Sequence, residues 1–208
     1  MRWWLGRGPT EGRTTMSTGT SGVDLVGDEV ARNLARAALF AALTGAFAYV
    51  SFPNPVSPAP ITLQVLGVFL AGIMLGPAWG GVAMVLYLLA GAVGVPIFAG
   101  GSAGIGILFG STAGYLWSYP ITAVLIGVLV HSGLEVRDLR AASTTRLVGA
   151  MVAGVVVIYG LGVLGIMAVN DVGFVAAFLA GAAAFIPAEA LKIAAALGIV
   201  RNERLTAT

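Results

Sequence analysis

The sequence contains no cysteine, one histidine and one lysine. Without cysteine the chain can form neither a disulfide nor an iron–sulfur cluster, and one histidine cannot complete a Cys/His metal site. Charged residues make up only 10% of the 208 residues, and none occurs among the 98 residues 37–134. A charge-free stretch of this length excludes an ordinary soluble domain. We expect no metal and no cofactor.

The sequence is instead rich in apolar residues, which make up 58% of the chain. A membrane span needs about 20 apolar residues, so the charge-free block has room for roughly four helices and the part up to residue 200 for about two more. The sequence therefore predicts an all-α integral membrane protein with about six transmembrane helices.

Glycine and proline interrupt the apolar runs and set approximate helix limits. The predicted helices cover 34–50, 61–75, 78–93, 114–131 and 146–169, followed by a final stretch over 171–200. That stretch is too long for one untilted span, and Pro187 lies in its middle. We expect it to be broken, with a first part over 172–185 and a helix that starts at Pro187.

The two ends of the chain are predicted to lie outside the membrane domain. Residues 1–33 are rich in glycine, threonine and serine and lack an apolar run of signal-peptide length. We expect a disordered tail there, within which Met16 is an alternative start to Met1. The membrane domain then covers 34–200, and residues 201–208 form a short cytoplasmic tail.

Basic residues indicate the orientation, because Lys and Arg concentrate on cytoplasmic loops. They stand before the first helix, between the fourth and fifth, and after the last: Arg32, Arg36, Arg137, Arg140, Arg146, Arg201 and Arg204. With six helices these places share one side, so both termini are predicted to be cytoplasmic. The net charge of +2 reflects this topology, and we expect the lipid bilayer rather than a nucleic acid as partner.

Two of the predicted outer connections have unusual compositions. SFPNPVSPAPITLQ contains four prolines, and VPIFAGGSAGIGILFGSTAGY is rich in glycine. Irregular backbone at membrane depth is tolerated only where protein or a polar cavity supports it. We therefore expect these segments to line or cover a pocket that opens outward.

Lys192 is the only lysine, and Glu189 is the only acid between Asp171 and Glu203. They are three residues apart on one helix face, and ionisable residues inside a membrane are costly and usually functional. Two interpretations remain open: an ion pair that only locks the helix, or the polar floor of a ligand site. Secondary ligand candidates are the polar side chains of the outer segments, which could equally cap backbone turns: Gln64, Ser102, Ser111, Thr112, Tyr115 and Asn170.

The first predicted helix carries a strip of small residues at four-residue spacing: Ala38, Ala42 and Ala46. Such strips let helices approach closely. From spacing alone, packing inside the protein and contact with a partner are about equally compatible with this strip.

Four sequence runs resemble the BioY family, the biotin-specific S components of energy-coupling factor (ECF) transporters. They are PAPITLQVLGVFLAGIMLGPAWG, YLLAGAVGVPIFAGGSAG, GSTAGYLWSYP and FIPAEALK, in the family's order within about 34–200. The resemblance implies a six-helix fold in a prokaryotic cell membrane that binds biotin from outside. It also implies energy-coupling partners, namely a transmembrane T component and two ATPase subunits.

The resemblance also suggests roles for particular residues. It implies that Glu189 and Lys192 contact biotin, and that the T component docks on the alanine strip around Ala38 and Ala42. The family usually has Pro-Gly-Asp before the lysine, where this chain has Pro187, Ala188 and Glu189. It usually has Gly-Pro-Thr-Gly-Gly-Tyr where residues 110–115 read GSTAGY.

Three other functions compete with a biotin-binding subunit. An S component for another small vitamin and a self-sufficient secondary transporter share the membrane character. Gly100 to Gly104 match G-x-S-x-G, which with His131 suggests a rhomboid-like intramembrane protease. However, Ser102 and His131 are predicted at opposite ends of a span, whereas a base must lie about 3 Å from its nucleophile. We therefore expect no enzyme.

Overall fold

The computed structural model describes residues 26–55 and 57–202, which are mainly helical, as predicted. The helices are α1 (Val26–Tyr49), α2 (Gln64–Ala92), α3 (Ala113–His131), α4 (Thr144–Asn170), α5 (Phe174–Gly181) and α6 (Ile186–Arg201). Short 3-10 turns occupy Ala99–Gly101, Ile105–Phe109, Leu139–Ala141 and Ala183–Phe185.

The first helix begins at Val26, so the predicted start at residue 34 is wrong. Residues 26–33, which we assigned to the tail, are helical. Asp28 and Glu29 lie in the first turn, where carboxylates interact favourably with the helix dipole. The rest of the predicted N-terminal tail and residues 203–208 lie outside the described residues.

A sharp turn at Gly76 divides α2 into two arms, 64–75 and 77–92. Gly76 has φ +75° and ψ −177°, and Pro77 follows it. A Cβ added at Gly80 would lie 2.9 Å from the carbonyl oxygen of Ala71, whereas nine residues of straight helix rise about 13 Å. The arms therefore fold back on each other as a helical hairpin. This confirms the predicted helix break between residues 75 and 78.

Four stretches of the described chain are long and apolar enough to cross a membrane. They are Gln64–Ala92, Ala113–His131, Thr144–Asn170 and Phe174–Arg201. The multi-pass character is confirmed. Because the first stretch is the α2 hairpin and α1 is not among the four, the count of six spans and the position of the termini remain predictions.

α2 packs against both α1 and α3, and α4 packs against α3. Glycines allow close contact: a Cβ at Gly114 of α3 would lie only 2.1 Å from the carbonyl oxygen of Leu161 in α4. In the apolar 18-residue stretch of α2, 72% of the residues are buried, whereas in that of Phe174–Arg201 only 22% are buried. The α5–α6 stretch therefore lies at the periphery of the bundle.

The two irregular connections are attached to the helices by hydrogen bonds. In the proline-rich segment, β1 (Ser51–Phe52) pairs antiparallel with β2 (Ile61–Thr62). In the glycine-rich segment, the carbonyl oxygen of Pro96 accepts from the Tyr49 hydroxyl, and that of Leu108 accepts from Trp117 Nε1 at 2.9 Å. Side-chain donors thus satisfy carbonyl groups that no regular helix satisfies.

The last stretch is broken, as predicted. α5 ends at Gly181, a 3-10 turn follows, and α6 begins at Ile186 with Pro187 in its first turn, where proline is tolerated. The Tyr115 hydroxyl of α3 donates to the Gly181 carbonyl at 2.6 Å. This bond attaches the break to the bundle.

Gly76→Ala tests the turn in α2. A Cβ at Gly76 would lie 2.5 Å from Val136 Cγ2, and the positive φ is unfavourable for alanine. We expect the free energy of unfolding to fall by about 1–3 kcal/mol. Thermal unfolding in detergent would measure this. Gly149→Ala is the control, since its added Cβ meets nothing within 4 Å on exposed α4 surface, and it should be neutral or slightly stabilising. Equal melting temperatures for both variants would contradict the proposed strain.

Candidate ligand site

A cavity lies among the two irregular connections, the start of α2, α3, α4 and α6. The space between its walls amounts to about 540 Å³, including the part that is open to solvent. Its wall is mainly apolar and aromatic, with a few polar side chains. The lining residues include Thr62, Gln64, Ser102, Thr112, Tyr115, Tyr119, Tyr159, Phe185 and Lys192.

The predicted pair of ionisable residues lies together beside this cavity, and Lys192 lines it. Lys192 Nζ is 2.5 Å from Glu189 Oε1, and the two residues are only 4% and 3% exposed. The Tyr159 hydroxyl of α4 donates to the same carboxylate oxygen at 2.6 Å. Two donors from two helices therefore converge on Glu189 Oε1.

The two members of the pair face different spaces. Lys192 lines the cavity, but Glu189 lines a neighbouring apolar groove between α4 and the α5–α6 stretch. Glu189 Oε2 is buried and has no hydrogen-bond partner among the described residues. In this conformation a ligand in the cavity meets Lys192 and Tyr159, with the carboxylate behind them.

Four of the six secondary candidates line the cavity: Gln64, Ser102, Thr112 and Tyr115. Gln64 is held at both ends of its amide, because Oε1 accepts from the Thr62 hydroxyl at 2.8 Å and Nε2 donates to the Tyr87 hydroxyl. Ser102 donates to the carbonyl oxygen of Ala99 at 2.9 Å. Local hydrogen bonds thus fix the positions of several polar groups in the wall.

Ser111 and Asn170 lie close to each other but not in the cavity wall. Ser111 Oγ donates to Asn170 Oδ1 at 2.6 Å, which joins the segment before α3 to the end of α4. These two side chains therefore connect two parts of the structure and do not line the cavity.

Sequence reasoning missed the three aromatic residues Tyr119, Tyr159 and Phe185. The Tyr159 ring contacts both Tyr115 and Phe185, with centroid separations of 5.8 and 5.4 Å. Tyr159 has the only polar side chain of α4 between Arg146 and Asn170. A lone tyrosine in such an apolar run was a signal available in the sequence.

The alanine strip of α1 points away from the rest of the chain. Ala38, Ala42 and Ala46 are exposed, whereas the neighbouring Ala37 and Ala41 are buried. The strip is therefore not used for helix packing within the described chain.

The protease alternative fails on geometry. Ser102 lies before α3, and His131 is the last residue of that helix, about 27 Å along its axis from the helix start. His131 Nδ1 accepts from the Arg137 amide, and its Nε2 contacts the carbonyl oxygen of Ile73 at 2.9 Å. Both ring nitrogens thus have structural partners far from the serine.

Comparison with known sequences supports the resemblance found in the motifs. A sequence model of the BioY family matches residues 14–207. The probable biotin transporter BioY of Pyrococcus horikoshii is 42% identical over 98 residues, which cover 47% of this chain and 59% of that protein. The biotin transporter BioY of Thermotoga maritima is 41% identical over 100 residues, covering 48% and 58%. This chain therefore matches less than two thirds of the length of these relatives.

A solved structure has the same fold. The crystal structure of the S-component for biotin from an ECF-type ABC transporter superposes with a TM-score of 0.76. The match covers 85% of this chain and 93% of that one at 22% sequence identity. At this identity the match establishes the fold.

The buried pair leads to a stability prediction. Lys192→Met leaves the Glu189 carboxylate without its counter-ion, so we expect a loss of about 3–5 kcal/mol in the free energy of unfolding. The double variant Lys192→Met/Glu189→Gln removes both charges, and the glutamine oxygen can still accept from Tyr159. It should recover most of the loss. Thermal unfolding in detergent without ligand would compare the variants, and a double variant less stable than Lys192→Met would contradict this account.

Proposed function

The chain belongs to the BioY family, and on that premise we propose that it is the substrate-binding subunit of a biotin importer. It is a multi-pass protein of the prokaryotic cell membrane and not an enzyme. In the proposed function it captures biotin from outside. It then delivers the vitamin for ATP-driven import by a T component and two ATPase subunits.

The cavity is the observation that carries the proposal. Its wall combines aromatic surface with a few fixed polar groups, the usual composition of a small-ligand site. Biotin has an apolar thioether ring, a ureido group with two N–H donors and one carbonyl, and a carboxylate. Each part finds a complementary surface: the aromatic side chains for the rings, and Lys192, Gln64, Ser102, Thr112 and Tyr115 for the polar groups.

Lys192 is the residue on which ligand binding depends most. Its ammonium has three donors, of which one is used by Glu189. The remaining donors can reach the ureido oxygen or the carboxylate of the ligand. Glu189 is the counter-ion of this ammonium, and its Oε2, which has no hydrogen-bond partner among the described residues, is available to a ligand N–H if the side chain turns. An ion pair that only locked α6 would not need to stand at a cavity wall.

The proposed topology has six spans and both termini in the cytoplasm. Arg201 at the end of α6 donates to the carbonyl oxygen of Ala142 at 2.6 Å, so this end lies beside the basic connection between α3 and α4. The α2 turn meets the same connection, since Gly76 lies against Val136. The clustering of these three parts at one end of the bundle supports a common, cytoplasmic side.

The exposed alanine strip is the proposed docking surface for the T component. Small side chains let a partner helix approach closely, and Ala38 and Ala42 are exposed on the surface of the described chain. The cavity is built from other parts of the chain, so ligand binding and coupling are separable.

We expect Lys192→Met to bind biotin roughly ten- to hundredfold more weakly than the wild type, because the ligand loses a charged hydrogen-bond partner. Calorimetry on the purified, folded chain would measure the affinity. The double variant with Glu189→Gln should bind equally poorly although its stability recovers. Normal affinity in folded Lys192→Met would refute the site assignment.

The same titration should be repeated with riboflavin and thiamine, which we expect to bind far more weakly than biotin. Equal affinity for either vitamin would make the chain an S component for a different substrate. ATP-independent uptake by the chain alone would instead favour a secondary transporter.

Ala38→Trp and Ala42→Trp test the docking surface. We expect both variants to bind biotin normally but to lose ATP-driven uptake, because a bulky side chain separates the helices at this contact. Ala176→Trp, at an exposed alanine of α5, is the control and should transport normally. Uptake should be measured with the T component and ATPases coexpressed. Wild-type uptake by both α1 variants would exclude the strip as the docking surface.

A further inference from the structure

Tyr159 stands where the ligand cavity meets the groove behind it, and it lines both spaces. Its hydroxyl hydrogen is committed to Glu189 Oε1 at 2.6 Å. We infer that the phenol oxygen of Tyr159 accepts a hydrogen bond from one ureido N–H of biotin and thereby contributes to ligand specificity. This inference rests on the proposed function and assigns a specificity role to a residue outside the sequence motifs.

The hydrogen-bond inventory of a tyrosine supports this role. A phenol has a single O–H donor and an oxygen that can accept. Because the O–H of Tyr159 points to a carboxylate, the oxygen can only accept from any further partner. The negative charge of Glu189 also polarises the O–H bond, which makes the phenol oxygen a stronger acceptor. A hydrogen bond from a ligand N–H therefore uses the remaining acceptor capacity of the phenol oxygen and leaves the ion pair intact.

Lys192 supplies the complementary donor next to this acceptor. The ammonium and the phenol oxygen both contact Glu189 Oε1, so they stand side by side. The ammonium can only donate, and the committed phenol can only accept. Together they match a ligand edge that carries an N–H next to a C=O. The ureido group of biotin has such an edge, whereas a carboxylate has no N–H to offer.

The aromatic neighbours of Tyr159 hold it in place for this contact. Its ring meets Tyr115 edge to face and lies beside Phe185, which stands in the 3-10 turn before α6. Tyr115 in turn is fixed by its bond to the Gly181 carbonyl. The acceptor is therefore preorganised by α3, α4 and the break in the last stretch, and binding need not order it.

The test combines a tyrosine variant with modified ligands. Biotin and two analogues, each methylated on one ureido nitrogen, are titrated calorimetrically into the full wild-type chain and into Tyr159→Phe. We expect Tyr159→Phe to bind biotin about 5- to 140-fold more weakly, since a ligand N–H loses its acceptor. The analogue methylated on the nitrogen that contacts Tyr159 should bind the wild type more weakly than biotin does, by a similar factor. Biotin and that analogue should then bind Tyr159→Phe with similar affinity.

A purely structural role gives a different pattern. If Tyr159 only positions Glu189, the phenylalanine variant should weaken biotin and both analogues by the same factor, and this result would overturn the inference. Thr44→Val, which removes a hydroxyl bonded to the Phe40 carbonyl within α1 and outside the cavity wall, is the control and should bind all three ligands as the wild type does.

A second variant separates the two functions of the hydroxyl and replaces Tyr159→Phe if that variant does not fold. Tyr159→4-aminophenylalanine keeps an N–H donor for Glu189 but offers a poor acceptor. We expect it to lose biotin affinity and the discrimination between the ligands, and retained wild-type discrimination would refute the contact. If the wild type itself does not bind biotin, the proposed function fails and this inference fails with it. Wild-type affinity in Tyr159→Phe overturns the inference alone.

Discussion

The charge on Lys192 constrains much of the structure around α6. An ammonium inside the membrane is costly unless its donors are satisfied, and Glu189 one turn earlier supplies the counter-charge. The carboxylate needs donors of its own, and Tyr159 brings one from α4. Breaking this arrangement would leave an unpaired buried charge. The start of α6 must therefore remain against α4, although the α5–α6 stretch is the least buried of the four long apolar stretches.

The irregular segments around the cavity depend on aromatic side chains that pair with their backbone. In a hydrocarbon environment each carbonyl without a partner is costly. The hydroxyls of Tyr49, Tyr87 and Tyr115 donate to backbone carbonyls in such segments, and the Trp117 indole does the same. Long, rigid aromatic side chains reach these carbonyls from the helices. The chain can thus leave helical geometry around the cavity while its polar backbone groups stay paired.

Local sequence signals predicted the helices well, and contacts between helices less well. Glycine and proline marked the turn at Gly76 and the break before Pro187, because these residues restrict backbone geometry wherever they occur. The pairing of Glu189 with Lys192 followed from their spacing on one helix. Tyr159 is 30 residues from Glu189, and its approach depends on how α4 is rotated against α6. No local pattern encodes that rotation.

The same distinction between local signals and contacts between helices explains where else the structure differs from the sequence prediction. Ser111 and Asn170 were plausible ligand residues by composition, yet their positions at the ends of two adjacent helices bring them to each other. The start of α1 was placed too late because its first two turns are polar, whereas acidic residues in a first turn favour a helix. Which side of the pair faces the cavity depends on the packing of α6, and the sequence does not reveal it.

The hairpin in α2 has a consequence for how the protein enters its membrane. The arm over 64–75 is about 18 Å long at the rise of an α-helix, well short of the ~30 Å hydrocarbon layer. Such a helix cannot settle as an independent span during synthesis. Since Gly76 turns it back against the longer arm, we expect the two arms to enter the bilayer as one unit. The tight turn would then matter to insertion as well as to the finished fold.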